Sequence, residues 1–242
     1  MITVRLPELF RKRNPLRASG ELTSSFAYYE YKYLVPHGHL SRVRDLLEEF
    51  LGESDPYPSG IVDSVYYDSC DESCLSQCEN GDAEKAKFRI RGYGDGYYRQ
   101  IHQKMKHLSA VDKYKQSIFP VQALADHAPA WDSLEAQAES DAFDRIICNS
   151  RQLGFLIPSI RVCYERFRYR SYDERITLDT NIEVFALING LPRALSWACF
   201  PYHVLELKTR KERPVLPFVG LLKLQQVSFS KFMIGIRLLS QT

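Results

Sequence analysis

The chain has 242 residues, room for one large domain or two small ones, and its 45% hydrophobic and 26% charged residues are the balance of a globular protein. The formal net charge of only +2 excludes a surface coated with cations for non-specific nucleic-acid binding and confines any basic site to a local concentration. No apolar run is long enough for a membrane span, residues 232–239 being broken by Gly235 and Arg237. With no apolar signal core at the N-terminus, the expected location is the cytoplasm.

Residues 1–24 mix Arg, Lys, Pro15 and Ser without a period and read as an extension ahead of a single domain spanning 25–242. Alternation and a high Tyr content predict a first strand over 26–35. Leu40, Val43, Leu46, Leu47 and Phe50 fall at helical spacing and predict a helix over 39–51, bracketed by Pro36 and Gly52. A second strand is expected at 61–68, then a short helix through Cys78 and a turn at Asn80-Gly81. Cys70, Cys74 and Cys78 would align along that helix, but no fourth Cys or His lies nearby to complete a zinc site, so the cysteines read as plain thiols. Strands at 87–93 and 97–106 are joined by Gly94-Asp95-Gly96, where glycine accepts positive φ. A further strand is expected at 111–119, a pair of helices within 121–152, strands at 160–169, 175–179 and 203–209, and a helical tail over 216–239. About eight strands with three helical interruptions suggest one closed or nearly closed antiparallel barrel.

Six segments place charges two residues apart: Glu30-Tyr31-Lys32, Lys87-Phe88-Arg89-Ile90-Arg91, Lys104-Met105-Lys106, Lys113-Tyr114-Lys115, Arg166-Phe167-Arg168-Tyr169-Arg170 and Glu206-Leu207-Lys208. Side chains alternate between the faces of a strand, so each set shares one face, opposite Phe, Ile, Tyr, Met or Leu. Solvent is the ordinary place for strand Lys and Arg. Three features point inward instead: strongly apolar opposite faces, too few carboxylates for cross-strand neutralisation, and recurrence on most strands, as a barrel interior requires. Each poorly compensated buried cation would cost on the order of several kcal/mol. A wet tunnel, or one filled by a polyanion, avoids that cost. With a few acids present, phosphates plus a divalent metal suit it best.

The succession of these segments with Ser64-Val65-Tyr66-Tyr67-Asp68, Gly92-Tyr93-Gly94, Gln103-Lys104, Tyr164-Glu165-Arg166, Arg175-Ile176-Thr177-Leu178-Asp179 and Phe229-Ser230-Lys231-Phe232 resembles the vacuolar transporter chaperone (VTC) domain. That family is the polyphosphate polymerase branch of the triphosphate tunnel metalloenzymes, relatives of the CYTH domains. The resemblance implies an α+β, mainly antiparallel β fold, an eight-stranded closed tunnel barrel with flanking helices. It also implies a metal-dependent activity that transfers the γ-phosphoryl group of ATP to a growing polyphosphate chain. Carried over by position, Lys32, Arg89, Arg91, Lys104, Arg166, Arg175 and Lys231 would act on the reacting phosphates. Lys87, Lys106, Lys115 and Lys208 would add phosphate contacts, and Glu206, with Glu30 or Asp179, would hold Mn²⁺ or Mg²⁺. The partners so implied are ATP, triphosphate or polyphosphate, with no nucleic acid; the sequence does not set an oligomeric state.

Two departures bear on this expectation. His102 stands where the family commonly has Glu, and Tyr28 stands at the first glutamate of the Glu-x-Glu-x-Lys signature of CYTH hydrolases, which favours a polymerase. Hydrolysis of triphosphate or short polyphosphate, and non-catalytic polyphosphate binding, are the alternatives. Among the residues singled out, Arg166 and Arg175 have a structural alternative in pairing with Asp179 or Glu206. Lys113 and Arg168 are expected at the rim, Tyr66, Tyr93 and Tyr164 in packing, and Ser230 as a helix cap.

Overall fold

The computed structural model describes residues 29–51, 53–107, 110–122, 128–135, 141–170, 174–188, 191–212, 214 and 216–241. The expected extension over 1–24 and the first residues of the expected first strand lie outside them. In chain order the elements are β1 (Tyr29–Val35), α1 (Leu40–Phe50), β2 (Glu53–Ser69), α2 (Ser73–Glu79), β3 (Glu84–Gly92), β4 (Tyr97–His107), β5 (Ala110–Gln122), α3 (Trp131–Glu135) and α4 (Asp141–Arg151). Then follow β6 (Leu156–Arg170), β7 (Glu174–Ile188), β8 (Leu191–Cys199), β9 (His203–Thr209), α5 (Pro217–Leu221), β10 (Gln225–Gln226) and α6 (Lys231–Leu239).

The strands form one antiparallel sheet in the order β10-β1-β9-β7-β6-β2-β3-β4-β5, with β8 paired to β7. The mainly antiparallel α+β architecture is the expected one, but the strand number and the closure differ. Among the described residues there are ten strands rather than eight, because β8 and the two-residue β10 carry no clear alternation that marks them in sequence. Among the described residues no hydrogen-bonded pairing joins β5 to β1, so the sheet is not closed by a backbone ladder. Its flanks approach through side chains instead, Lys104 Nζ on β4 lying 3.9 Å from Glu30 Oε2 on β1. Lys32, Lys104, Lys113 and Lys208 all lie about this seam, and such like charges oppose a tight strand-to-strand approach.

Helices cover the outer face in two places. Val43 and Leu47 of α1 bury against Tyr33, Val35, Ile176, Leu178, Leu205 and Leu207, which alternate with the charged residues of β1, β7 and β9. Each such fully buried aliphatic side chain contributes about 1.5–3 kcal/mol. On β2–β4, Trp131 packs edge-on against Tyr67 and Phe88, with ring centroids 5.0 and 5.6 Å away. The β3–β4 turn has Gly94 and Gly96 at φ +78° and +76°, as its sequence demands.

The predicted helical tail resolves into α5 and α6, and α6 lies on the other, charged face. Its Phe232 stacks on Tyr66 of β2 at 5.4 Å. A Cβ on Gly235 would sit 3.0 Å from Val184 and 3.1 Å from Ile160, so only glycine permits this approach without movement. No helix among the described residues is long and apolar enough to cross a membrane.

Candidate functional site

Strand alternation builds the site. On β3, Ala86, Phe88 and Ile90 are buried in the core, so Lys87, Arg89 and Arg91 share the opposite face. Register sets Lys87 opposite Lys104, Arg89 opposite His102, Lys104 opposite Lys113 and His102 opposite Lys115. Across the seam, Lys32 stands opposite Glu206, Glu30 opposite Lys208, and Arg175 opposite Lys208. These faces enclose a cavity of about 420 Å³, lined by eleven Lys and Arg side chains and two carboxylates, Glu30 and Glu206.

Of the residues expected in the site, Lys32, Lys87, Arg89, Arg91, Lys104, Lys115, Arg166, Arg175, Lys208, Lys231, Glu30 and Glu206 line this cavity. Two do not. Lys106 is exposed beyond it on β4, and Asp179 is buried behind the wall. Arg166 donates through Nε to Asp179 Oδ1 at 2.6 Å and through Nη2 to Oδ2 at 2.8 Å, and Lys231 Nζ lies 2.6 Å from Oδ2. Burial pushes the Asp179 carboxyl up, but Lys231 and Arg166 outweigh it and hold it below the usual range. Its oxygens are taken up in anchoring the two cations.

The N-terminus of α6 faces the cavity. Ser230 is the expected cap, accepting from the Met233 amide at 3.4 Å, and it also accepts from Lys87 Nζ at 2.8 Å. Lys32 Nζ donates to the Phe229 carbonyl at 3.1 Å. The positive end of the helix dipole therefore joins the Lys231 ammonium on the wall.

Glu30 and Glu206 sit diagonally across the β1–β9 pair. Lys32 Nζ is 2.7 Å from Glu30 and 4.0 Å from Glu206, and Lys208 Nζ is 2.9 Å from Glu206 and 4.0 Å from Glu30. Burial and the neighbouring Glu206 push Glu30 up, but Lys32, Lys104 and Lys208 bring it down to about 2. Burial likewise opposes ionisation of Glu206, and Lys208, Lys32, Arg166 and Lys231 hold it well below the usual range. Two ionised carboxylates on adjacent strands, facing a space for phosphate oxygens, are a donor set that fits Mg²⁺ or Mn²⁺. Lysines hold those oxygens here.

The opposite wall is almost purely cationic. Burial lowers Lys104 to about 8, aided by Lys32, Lys113 and Lys87 against the pull of Glu30. Tyr66, despite burial, is brought down to about 7 by Arg89, Arg91 and Lys231. Arg91 donates through Nε to Ser64 at 2.9 Å, and Arg89 through Nη1 to the Tyr66 hydroxyl at 3.1 Å. Tyr66, Tyr93, Tyr164 and Lys113 line the cavity, whereas packing is the place expected for the tyrosines and the rim for Lys113. The signal was there: Tyr66 shares strand parity with Ser64, and Tyr164 with Arg166. Asp68, from the same Ser-x-Tyr-Tyr-Asp segment, is structural, accepting the Cys74 and Leu75 amides at the start of α2 at 2.8 and 3.0 Å.

No curated protein matches the sequence. Among solved structures, the fold is similar to that of a Bacillus halodurans protein described as a candidate adenylate cyclase, at 13% identity and TM-score 0.53, covering 84% of this chain and 93% of that one. It is also similar to HpAC1 from Hippeastrum, a candidate adenylyl cyclase described as having a dominant triphosphatase activity, at 14% identity and TM-score 0.50, covering 87% and 96%. At these identities the likeness speaks for the fold alone. The sequence, however, matches the family model of the VTC domain over residues 27–240, nearly the whole cavity-bearing chain, and the chain belongs to the VTC domain family.

Proposed function

We propose that this protein is a divalent-metal-dependent polyphosphate polymerase, which takes ATP by its triphosphate and transfers the γ-phosphoryl group to the end of a polyphosphate chain. The observation that carries this reading is the charge of the cavity, eleven cationic side chains against two carboxylates in about 420 Å³. A polyanion is the ligand that removes the repulsion among them.

Phosphoryl transfer asks a protein mainly for positioning and charge neutralisation. Arg89, Arg91 and Arg166 offer planar forks to phosphate oxygens, while Lys32, Lys104 and Lys231 act as point charges. In the transfer, the bond from the γ-phosphorus to the β–γ bridging oxygen breaks and a bond to a terminal oxygen of the acceptor forms, so that ADP leaves with the electron pair. Lys231 and the α6 N-terminus would meet the negative charge that develops on the oxygens. Glu206 and Glu30 would hold Mn²⁺ or Mg²⁺ in place of their lysine partners, and that cation would supply charge neutralisation on the phosphate oxygens.

A polyphosphate end is already anionic and needs no general base, whereas water does. Both cavity carboxylates are assigned to the metal on this reading, so neither would be left as a base for water, which favours the polyphosphate acceptor. Hydrolysis of triphosphate is the second reading, favoured by the triphosphatase activity ascribed to HpAC1. Incubation with ATP and Mn²⁺ followed by ³¹P NMR decides between them. Mid-chain polyphosphate resonances appearing with ADP are the expected outcome. Orthophosphate alone would mean hydrolysis, and unchanged ATP with tight polyphosphate binding would mean a binding module.

A further inference from the structure

His102 is a cavity residue whose hydrogen bonds admit one assignment. Arg89 Nη2 lies 3.3 Å from His102 Nδ1, and a guanidinium has only donors, so Nδ1 must offer its lone pair. The ring proton then sits on Nε2, 3.1 Å from Gln100 Oε1, which accepts it. Gln100 Oε1 also accepts from the Tyr93 hydroxyl at 3.3 Å, and Arg89 Nη1 donates to the Tyr66 hydroxyl at 3.1 Å. A continuous chain thus runs Tyr93, Gln100, His102, Arg89, Tyr66, with no carboxylate in it.

We propose that His102 is a positioning residue for Arg89, a neutral acceptor that aims the guanidinium without itself neutralising it, so that while the Tyr66 phenol keeps its proton the whole charge is left for a phosphate group of the ligand. The inference rests on the phosphate-binding reading of the cavity. An imidazolium would turn an Nδ1–H donor toward Arg89, and the charged groups around the ring all oppose that state: Arg89 and Arg91 on β3 and Lys115 on β5. Burial adds to them, and together they hold the ring well below the usual histidine range. A carboxylate at this position would instead form an ion pair with Arg89 and cancel the charge. The same bonds leave no ring nitrogen free for a metal, since Nδ1 accepts from Arg89 and Nε2 carries the proton. The departure at His102 therefore adds anion-binding power on this wall and leaves metal ligation to Glu30 and Glu206.

The test joins NMR of the imidazole nitrogens to calorimetric binding of inorganic tripolyphosphate without metal, in the full chain. His102 should show the neutral Nε2–H tautomer throughout about pH 5 to 8, the range in which a free histidine changes charge. His102→Ala and His102→Glu should weaken tripolyphosphate binding about tenfold or more, as loss of a charge-assisted contact does. His102→Asn, whose amide oxygen can replace Nδ1 as acceptor, should restore most of it. Arg89→Ala should cost much less affinity in the His102→Ala background than in the wild type, because the two act through one contact. An imidazolium or an Nδ1–H tautomer, equal behaviour of Asn and Ala, or additivity with Arg89→Ala would each overturn the inference while leaving the cavity reading intact. Failure of the wild-type protein to bind tripolyphosphate at all would overturn both.

Discussion

Two sets of acids around the same cationic cavity, Asp179 on one side and Glu30 with Glu206 on the other, have opposite surroundings. Asp179 is fully buried and its two oxygens receive three short contacts, 2.6 to 2.8 Å, from Arg166 and Lys231. Glu206 and Glu30 share Lys32 and Lys208 across a looser set, 2.7 to 4.0 Å, open to the cavity. The first arrangement is saturated, and its use is to hold two cations at fixed positions. In the second, flexible lysine ammonium groups can be displaced by a divalent cation without leaving a buried charge unpaired. The ionised carboxylates around the cavity thus divide into a saturated anchor and a looser pair, the pair to which the proposed function assigns the metal.

Replacing one acid from each set should break the comparison most directly. Glu206→Gln should lower metal-dependent conversion of ATP on the order of 10²–10³-fold, because a metal's neutralisation of phosphate charge is worth several kcal/mol. Its denaturation midpoint should fall only modestly: Glu206 is itself held ionised by its cations, but Lys32 and Lys208 keep Glu30 as a partner and reach the cavity. Turnover at several Mn²⁺ concentrations checks the first statement and urea unfolding the second; full metal-dependent turnover in this variant would remove Glu206 from the site. Asp179→Asn should cost more stability, about 3 kcal/mol, the lower range for stripping a partner from a buried ion pair, because Arg166 and Lys231 touch the wet cavity. Tripolyphosphate should return part of that loss by supplying the missing negative charge.

How much of this was legible in sequence depended on range. Alternation alone put Lys87, Arg89 and Arg91 on one face and Phe88 and Ile90 on the other, because the period of a strand is local. The same period sets Asp179 on the face of β7 that carries Arg175 and Thr177. What it could not say is that Asp179 meets Lys231 of α6, a contact made only when the last helix packs into the concave face. β8, with Pro192 and no clean alternation, is not marked in the sequence for the same kind of reason: its pairing with β7 is specified by the neighbour, not by its own residues. His102 looked like a missing acid until its partners Arg89 and Gln100 were in place.

Acid sharpens the comparison at intermediate size. Glu30, brought from the usual 4.5 down to about 2, and Asp179, also lowered, are more acidic folded than unfolded. Their stabilisation is complete above the unfolded values and is lost as pH falls through the folded ones. The unfolding midpoint should therefore drop steadily between about pH 4.5 and pH 2. Asp179→Asn should flatten that slope; an unchanged slope would show that Asp179 is not held ionised by its cations.

The smallest effect lies on the wall opposite both acids. Lys104, lowered to about 8, is reached among the described residues by one acid, Glu30 at 3.9 Å, too little to offset its burial and its lysine neighbours. A bound polyanion favours its protonated form, so tripolyphosphate affinity should fall a few-fold as pH rises past 8, with a proton taken up on binding. Stability should move the other way, since between about 8 and the usual 10.5 the unfolded chain binds the proton that the folded one releases. Tyr66, brought down to about 7, acts on affinity with the same sign, because its phenolate would repel phosphate from the same wall. Lys104→Arg keeps the charge at all these pH values and should remove the limb near 8, while Tyr66→Phe should remove the one near 7 together with any tyrosinate absorbance. Affinity in Lys104→Arg that still falls as the wild type's does would show that Lys104 does not set the alkaline limit, leaving Tyr66 and Lys113, whose ammonium burial and Lys208 also push down, as its sources.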